Sequence, residues 1–163
     1  MGMDVYGINP KQNTAPPEIV KKLEGEDWLD KFMELSEDEK SQYFDLKSEW
    51  EDENPGVYFR NNVWWWRPLW DYVWKLCEDD GVITREQYQE GHVNSGAEIN
   101  VHQAELIALR LNHAIKMGWA ETHMQLHNAG QDANGESWSY PFSVENVKAF
   151  ADFCKESGGF EIC

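Results

Sequence analysis

"YFRNNVWWWRPLWDYVW", Tyr58 to Trp74, is the stretch on which the reading of this chain turns, because five of its nine tryptophans fall within it, together with Arg60, Asn61, Asn62 and Arg67. Aromatic side chains bury large areas, so Trp64, Trp66, Leu69 and Val73 are expected to form the centre around which other helices pack. Pro68 suits the first turn of a helix, where a missing N–H costs nothing. Leu69, Tyr72, Val73 and Leu76 mark one face of that helix, and Trp70, Trp74 and Cys77 mark an adjacent one. Three consecutive tryptophans cannot all point the same way on a strand or a helix. Trp65 alternates with Trp64 and Trp66 and is the expected outward ring. A ring exposed beside guanidinium groups and two amides suits a flat anionic ligand such as a nucleotide, through stacking, a planar donor fork and base-edge hydrogen bonds.

Upstream lies a segment of different character. Residues 24–53 hold thirteen Asp and Glu against Lys31, Lys40 and Lys47, a local net charge of −10. Its apolar residues nevertheless recur at helical spacing: Trp28, Leu29, Phe32, Met33 and Leu35, then Tyr43, Leu46 and Trp50. With a capping box in "SEDE" (36–39), the pattern predicts two helices, roughly 26–35 and 37–51, forming an acidic hairpin that docks by its aromatic stripe. Pro55 and Gly56 punctuate its end.

Downstream, "TREQ" (84–87) opens a short helix that ends at Gly91. Asn100 caps a long helix with Leu106, Ile107, Leu111, Ala114 and Ile115 as its buried stripe, and Gly118 is its stop or kink. Residues 128–139 read as loop. Ser143 caps a last helix, stapled by Phe142 and Val147 and ended by Gly158 and Gly159. Strand candidates are few: "GVYFR", "NVWWW" and "FEIC". The expected fold is one mainly α domain, with helices around the Trp-rich segment and room for a two- or three-stranded sheet at the edge.

The chain of 163 residues carries a net charge of −16, which opposes broad contact with nucleic-acid phosphates and leaves open basic proteins, or proteins whose nucleic-acid groove an acidic surface could occupy. No run is long and apolar enough to span a bilayer, and the N-terminus lacks the features of a signal peptide or a myristoylation site, so a cytoplasmic place is expected. Cys77, Cys154 and Cys163 are odd in number and widely spaced, poor material for disulfides or zinc.

Motifs for chemistry are sparse. No "GxSxG", "GxxxxGK" or "GxGxxG" occurs. His123 and His127 stand at i and i+4, but no general base lies between them, and neither a metal nor a cofactor is implied. Cys77 reads as a core thiol beside "EDD". Should the chain be an enzyme, Asp71 or His92 near the aromatic pocket is the expected acid or base.

Several segments, "MDVYGINP", "YFRNNVWWWRPLWDYV", "NSGAEI", "AELIALRL" and "YPFSVENVKAFADFCKESGGFEIC", together resemble a family of small uncharacterised bacterial and phage proteins. The resemblance implies no activity. It implies that residues 11–54 are an insertion and that Arg60, Asn61, Asn62, Arg67, Asn94 and Ser95 share a site. Relatives carry a Cys-rich segment before "YPFS" that this chain lacks, so no metal is carried over. The leading expectation is a phage-encoded, non-enzymatic binding protein with Arg60, Asn61, Asn62, Trp65, Arg67, Asn94 and Ser95 as its site. Its partner would be a small anionic ligand or a peptide or protein, with no membrane and no direct nucleic-acid contact. The alternative makes the acidic hairpin the active part, as a nucleic-acid mimic or a docking element for a host protein.

Overall fold

Alternation in residues 2–7 places Met3 and Val5 on one side of a strand and Asp4 and Tyr6 on the other. That strand, β1 (Gly2–Gly7), is not among the strand candidates, and neither is β3 (Ala97–Ile99). The structure, a computed structural model, describes residues 2–135 and 140–163. In chain order the other elements are α1 (Glu18–Lys22), α2 (Trp28–Met33), α3 (Glu37–Glu53), β2 (Tyr58–Asn62), α4 (Val63–Cys77), α5 (Arg85–Glu90), β3 (Ala97–Ile99), α6 (Val101–Lys116), α7 (Trp119–Ala133), α8 (Val144–Glu156) and β4 (Phe160–Ile162). The fold is therefore mainly α with a small sheet, which has four strands rather than two or three, in the order β2-β1-β4-β3, every pair antiparallel. Among the described residues no helix is long and apolar enough to cross a membrane.

The chain divides into two compact units, one of Met1–Lys11 with Gly56–Cys163, the other of Gln12–Pro55. In the larger unit the sheet buries one face only. Met3, Val5, Ala97, Ile99, Phe160 and Ile162 are all at most 1% exposed, whereas Glu98 and Glu161 point outward. The buried face meets α4 and α8. Phe59 lies 5.0 Å from Phe150 between ring centroids, and Trp66 stands edge-on to Phe150 at 5.5 Å.

α4 starts earlier than Pro68 suggested. Asn62 is its N-cap, and its side chain accepts from the Trp64 and Trp65 amides at 3.1 Å each. Asn62 thereby satisfies two of the amides that a helix start leaves without partners. "NVWWW" is consequently helix from Val63 onward, and Pro68 lies inside it, leaving the Trp64 carbonyl without its usual donor. Trp66 and Trp70 are wholly buried and stacked at 5.4 Å. Their indole N–H groups donate to the carbonyls of Gly91 (2.7 Å) and Tyr88 (3.0 Å), so α5 and its end act as the polar seat of the core. Gly91 must lack a side chain, since a Cβ there would sit 2.4 Å from Trp70 Nε1.

α6 and α7 meet at Gly118, whose φ of +76° is the left-handed turn a glycine accepts cheaply. α7 then continues to Ala133, so residues 128–133 are helix and not loop; local Asn, Gly and Asp yield here to continuation of an established helix. Of the rest of that expected loop, residues 134 and 135 form a turn and 136–139 lie outside the described residues. Ser143 caps α8 as the sequence indicated, accepting from Asn146 N at 3.1 Å.

In the smaller unit, Asn54 is fully buried and satisfied. Its amide donates to Thr14 Oγ1 (2.9 Å) and Trp50 O (2.7 Å), and its oxygen accepts from Asn13 N (2.6 Å) and Thr14 N (3.2 Å). α3 begins with the anticipated capping box, Ser36 with Glu39.

Candidate functional site

The period of a strand separates the residues that the sequence set side by side. Arg60 and Asn61 are neighbours on β2 and point to opposite faces. Arg60 is exposed on the outer face, its Nε 3.5 Å from Asp4 Oδ1. Asn61 turns inward and exchanges hydrogen bonds with Asn146 of α8, donating at 3.0 Å and accepting at 2.7 Å. Asn62 is committed to the α4 cap. Asn94 occupies a left-handed position (φ 42°) and donates to Gly2 O at 3.1 Å, and Ser95 donates to Glu90 O at 3.2 Å. Arg60 and Asn61 are taken up by side chains of neighbouring elements, and Asn62, Asn94 and Ser95 by backbone; they hold turns and strand ends in place and do not converge on one cavity.

The outward ring also differs. A helix advances about 100° per residue, which puts Trp66 into the core, leaves Trp65 half-buried and turns Trp64 out with 49% of its surface exposed. Trp64 packs on Tyr140 with ring centroids 5.2 Å apart.

Arg67, one turn beyond, is the expected site residue that opens onto a cavity. A pocket of about 270 Å³ is lined by Arg67, Pro68, Asp71, His127, Gln131 and Tyr140. Arg67 Nη1 donates to the Tyr140 hydroxyl at 3.0 Å, and its guanidinium lies 5.9 Å from that ring's centroid. Among the described residues Arg67 forms no ion pair. The opposite wall is polar. His127 Nε2 is 2.7 Å from the Tyr140 carbonyl, and because a carbonyl only accepts, Nε2 carries the proton. Gln131 Oε1 is buried with no hydrogen-bond partner among the described residues.

Asp71, the expected acid or base, faces the same pocket and holds two donors: Tyr88 Oη at 2.6 Å and His92 Nε2 at 3.1 Å. Burial pushes its carboxyl up, but the hydrogen bonds from His92 and Tyr88 outweigh this and hold it below the usual carboxylate range. Burial and that same contact push the Tyr88 hydroxyl up to about 12. Asp71 is thus a fixed anion with a partly filled acceptor shell.

Two other hollows have a different chemistry. One, of about 390 Å³, is walled by Leu76, Leu109 and Trp119, and its Arg110 is already taken up by Asp80 (Nη1 to Oδ1, 2.8 Å) and by Leu76 O (2.7 Å). The other, of about 310 Å³, includes Lys75, Tyr72 and His123. Burial, and then the nearby charges of Lys75 and His127, lower the His123 pKa to about 4, so it is neutral near pH 7. His123 and His127 stack at 5.9 Å, and among the described residues no group of three or more His, Cys, Asp or Glu could hold a metal ion. Cys77 is buried and its thiol is pushed up to about 11, first by burial.

His127, Gln131 and Tyr140 escaped the sequence reading because they come from α7 and the approach to α8. His127 alone left a trace, through its spacing from His123. Set against known protein families, curated proteins and solved structures, the chain matches none.

Proposed function

We propose that the chain is a binding protein, acting without chemistry of its own, whose site is the Arg67 pocket and whose ligand is a small molecule with an anionic group and a planar, donor-bearing part, as in a nucleotide. The observation that carries the reading is Arg67. In a chain with 30 acidic and 14 basic residues, its guanidinium opens onto a cavity and makes no ion pair with a described carboxylate. A planar donor fork of this kind matches a phosphate or carboxylate. Trp64 and Tyr140 offer ring faces beside it, while Asp71 and Gln131 Oε1 offer acceptors for hydroxyl or amino groups. Kinship with small bacterial and phage proteins, and with it a cytoplasmic place of action, belongs to the same proposal and rests on the quoted segments alone.

An enzyme reading draws on the Asp71–His92 contact. It is the weaker one, because an acid or a base working at neutral pH is best served by a pKa near that pH, and that of Asp71 is shifted away from it.

Isothermal titration with adenosine monophosphate, adenosine and pyrophosphate tests the binding reading. The monophosphate is expected to bind more tightly than adenosine, and Arg67→Gln to weaken it by roughly ten- to a hundredfold, since a hydrogen bond to a charged group contributes about 1.5–3 kcal/mol. A folded Arg67→Gln protein with unchanged affinity, or no binding of any of the three, would remove the reading.

A further inference from the structure

α2 and α3 carry a second surface that owes nothing to the Arg67 pocket. Phe32 holds α2 against α3, its ring edge-on to Tyr43 at 5.7 Å and to Phe44 at 5.6 Å, with Lys40 5.8 Å from its centroid. These contacts half-bury Phe32 and Tyr43 and leave other large side chains outside. Trp28 (48%), Leu29 (54%), Met33 (67%) and Phe44 (59%) stay exposed, and α2 buries no residue fully. Trp28 to Phe32 (6.3 Å) and Phe32 to Phe44 join the rings into one patch, and Leu29 and Met33 stand at i and i+4 on the same short helix as Trp28 and Phe32. Single exposed apolar side chains are ordinary, whereas a contiguous patch rimmed by polar groups is the usual form of an interaction surface.

The rim is acidic on balance, because its lysines are already paired. Lys31 pairs with Asp27 and Lys40 with Glu37, each at 2.9 Å, and Lys47 pairs with Glu51. Glu39 is taken up by the helix cap. Asp30, Glu34, Asp38 and Asp45 remain beside the apolar centre without an ion pair among the described residues. A partner that fits must bring apolar area and cations together. A second copy fits poorly, because two-fold pairing of this patch would set −10 against −10. Nucleic acid and anionic lipid share its sign.

We infer that the α2–α3 hairpin is the docking surface for a basic amphipathic helix of another protein, which covers Trp28, Leu29, Met33 and Phe44 with its apolar face while its lysines or arginines meet the acidic rim. The apolar centre supplies the hold, and the charge supplies the choice of partner and the speed of encounter.

The test uses the full chain and two synthetic probes, a lysine–leucine peptide with helical periodicity and a lysine–serine peptide of equal length and charge. At physiological ionic strength the lysine–leucine peptide is expected to bind at least about tenfold more tightly, the leucines being what the patch recognises. Backbone amide NMR shifts should concentrate in residues 26–53. Leu29→Ser with Met33→Ser, both exposed and compatible with folding, should erase the preference, and Asp30→Asn with Glu34→Gln should weaken both peptides. Equal affinities, no binding, shifts centred elsewhere, or an unaltered preference in the serine variant would overturn the inference. So would a concentration-dependent dimer, seen by sedimentation, that the serine variant abolishes, since it would assign the patch to self-association.

Discussion

Trp66 and Trp28 both stand on helices rich in aromatic residues, yet Trp66 is wholly buried and Trp28 keeps 48% of its surface exposed. What separates them is the number of elements that close over each. Trp66 has Trp70 stacked beside it, Phe150 of α8 at its edge and the Gly91 carbonyl on its indole nitrogen. Trp28 has Phe32, on its own six-residue helix. Aromatic density thus marks where a large apolar area sits, and only the surrounding chain decides whether that area becomes core or surface. α4 shows both outcomes within one turn, with Trp66 inside and Trp64 outside.

The sharpest way to break this contrast is to truncate both rings. Trp66→Ala should cost about 3–5 kcal/mol, as large-to-small changes in a packed core do, while Trp28→Ala should stay within about 1 kcal/mol; urea unfolding gives both. Comparable losses would mean that the hairpin is as tightly closed as the α4 core. Next in size, Asn54→Ala removes four hydrogen bonds inside the smaller unit and should cost roughly 2–3 kcal/mol, because two backbone amides then lose their acceptor. Hydrogen exchange at residues 13–20 is the readout, and unchanged protection there would contradict the role given to this clasp.

Asn62→Ala sharpens the account of α4. A lost N-cap costs about 1 kcal/mol, and if Asn62 is a cap and not a ligand contact, the affinity at the Arg67 pocket should not move. A further effect is one of pH. The folded chain lowers the His123 pKa from 6.5 to about 4, so between those values the unfolded chain binds more protons. This stabilising contribution is present above pH 6.5 and is lost as pH falls towards 4. His123→Gln should therefore flatten part of the decline in urea midpoint below pH 6.5, and a decline of unaltered slope would argue against that burial.

Much of the architecture is legible from local rules. Ser36, Thr84, Asn100 and Ser143 each cap the helix their spacing announces. β1 and β3 are not legible, since the alternation of β1 spans only two buried residues between flanking glycines and β3 is three residues long, and both exist through pairing with their neighbours. The site divides in the same manner. Arg67 could be named because a guanidinium beside tryptophans is unusual in so acidic a chain. Adjacency in sequence groups Arg60 and Asn61 with it, and strand geometry parts them. A period of two points to Trp65, where the helix imposes one of 3.6 and selects Trp64. His127, Gln131 and Tyr140 join Arg67 from more than fifty residues away in sequence, a convergence that no local pattern encodes.

Native mass spectrometry of the gently purified protein, compared with its denatured mass and with the Arg67→Gln variant, tests the central claim most directly. The account predicts an added mass of a small anionic molecule on the wild-type chain, either carried through purification or gained with adenosine monophosphate, and its loss from the variant. An adduct that the variant retains, or a bare chain mass even with the nucleotide present, would contradict it.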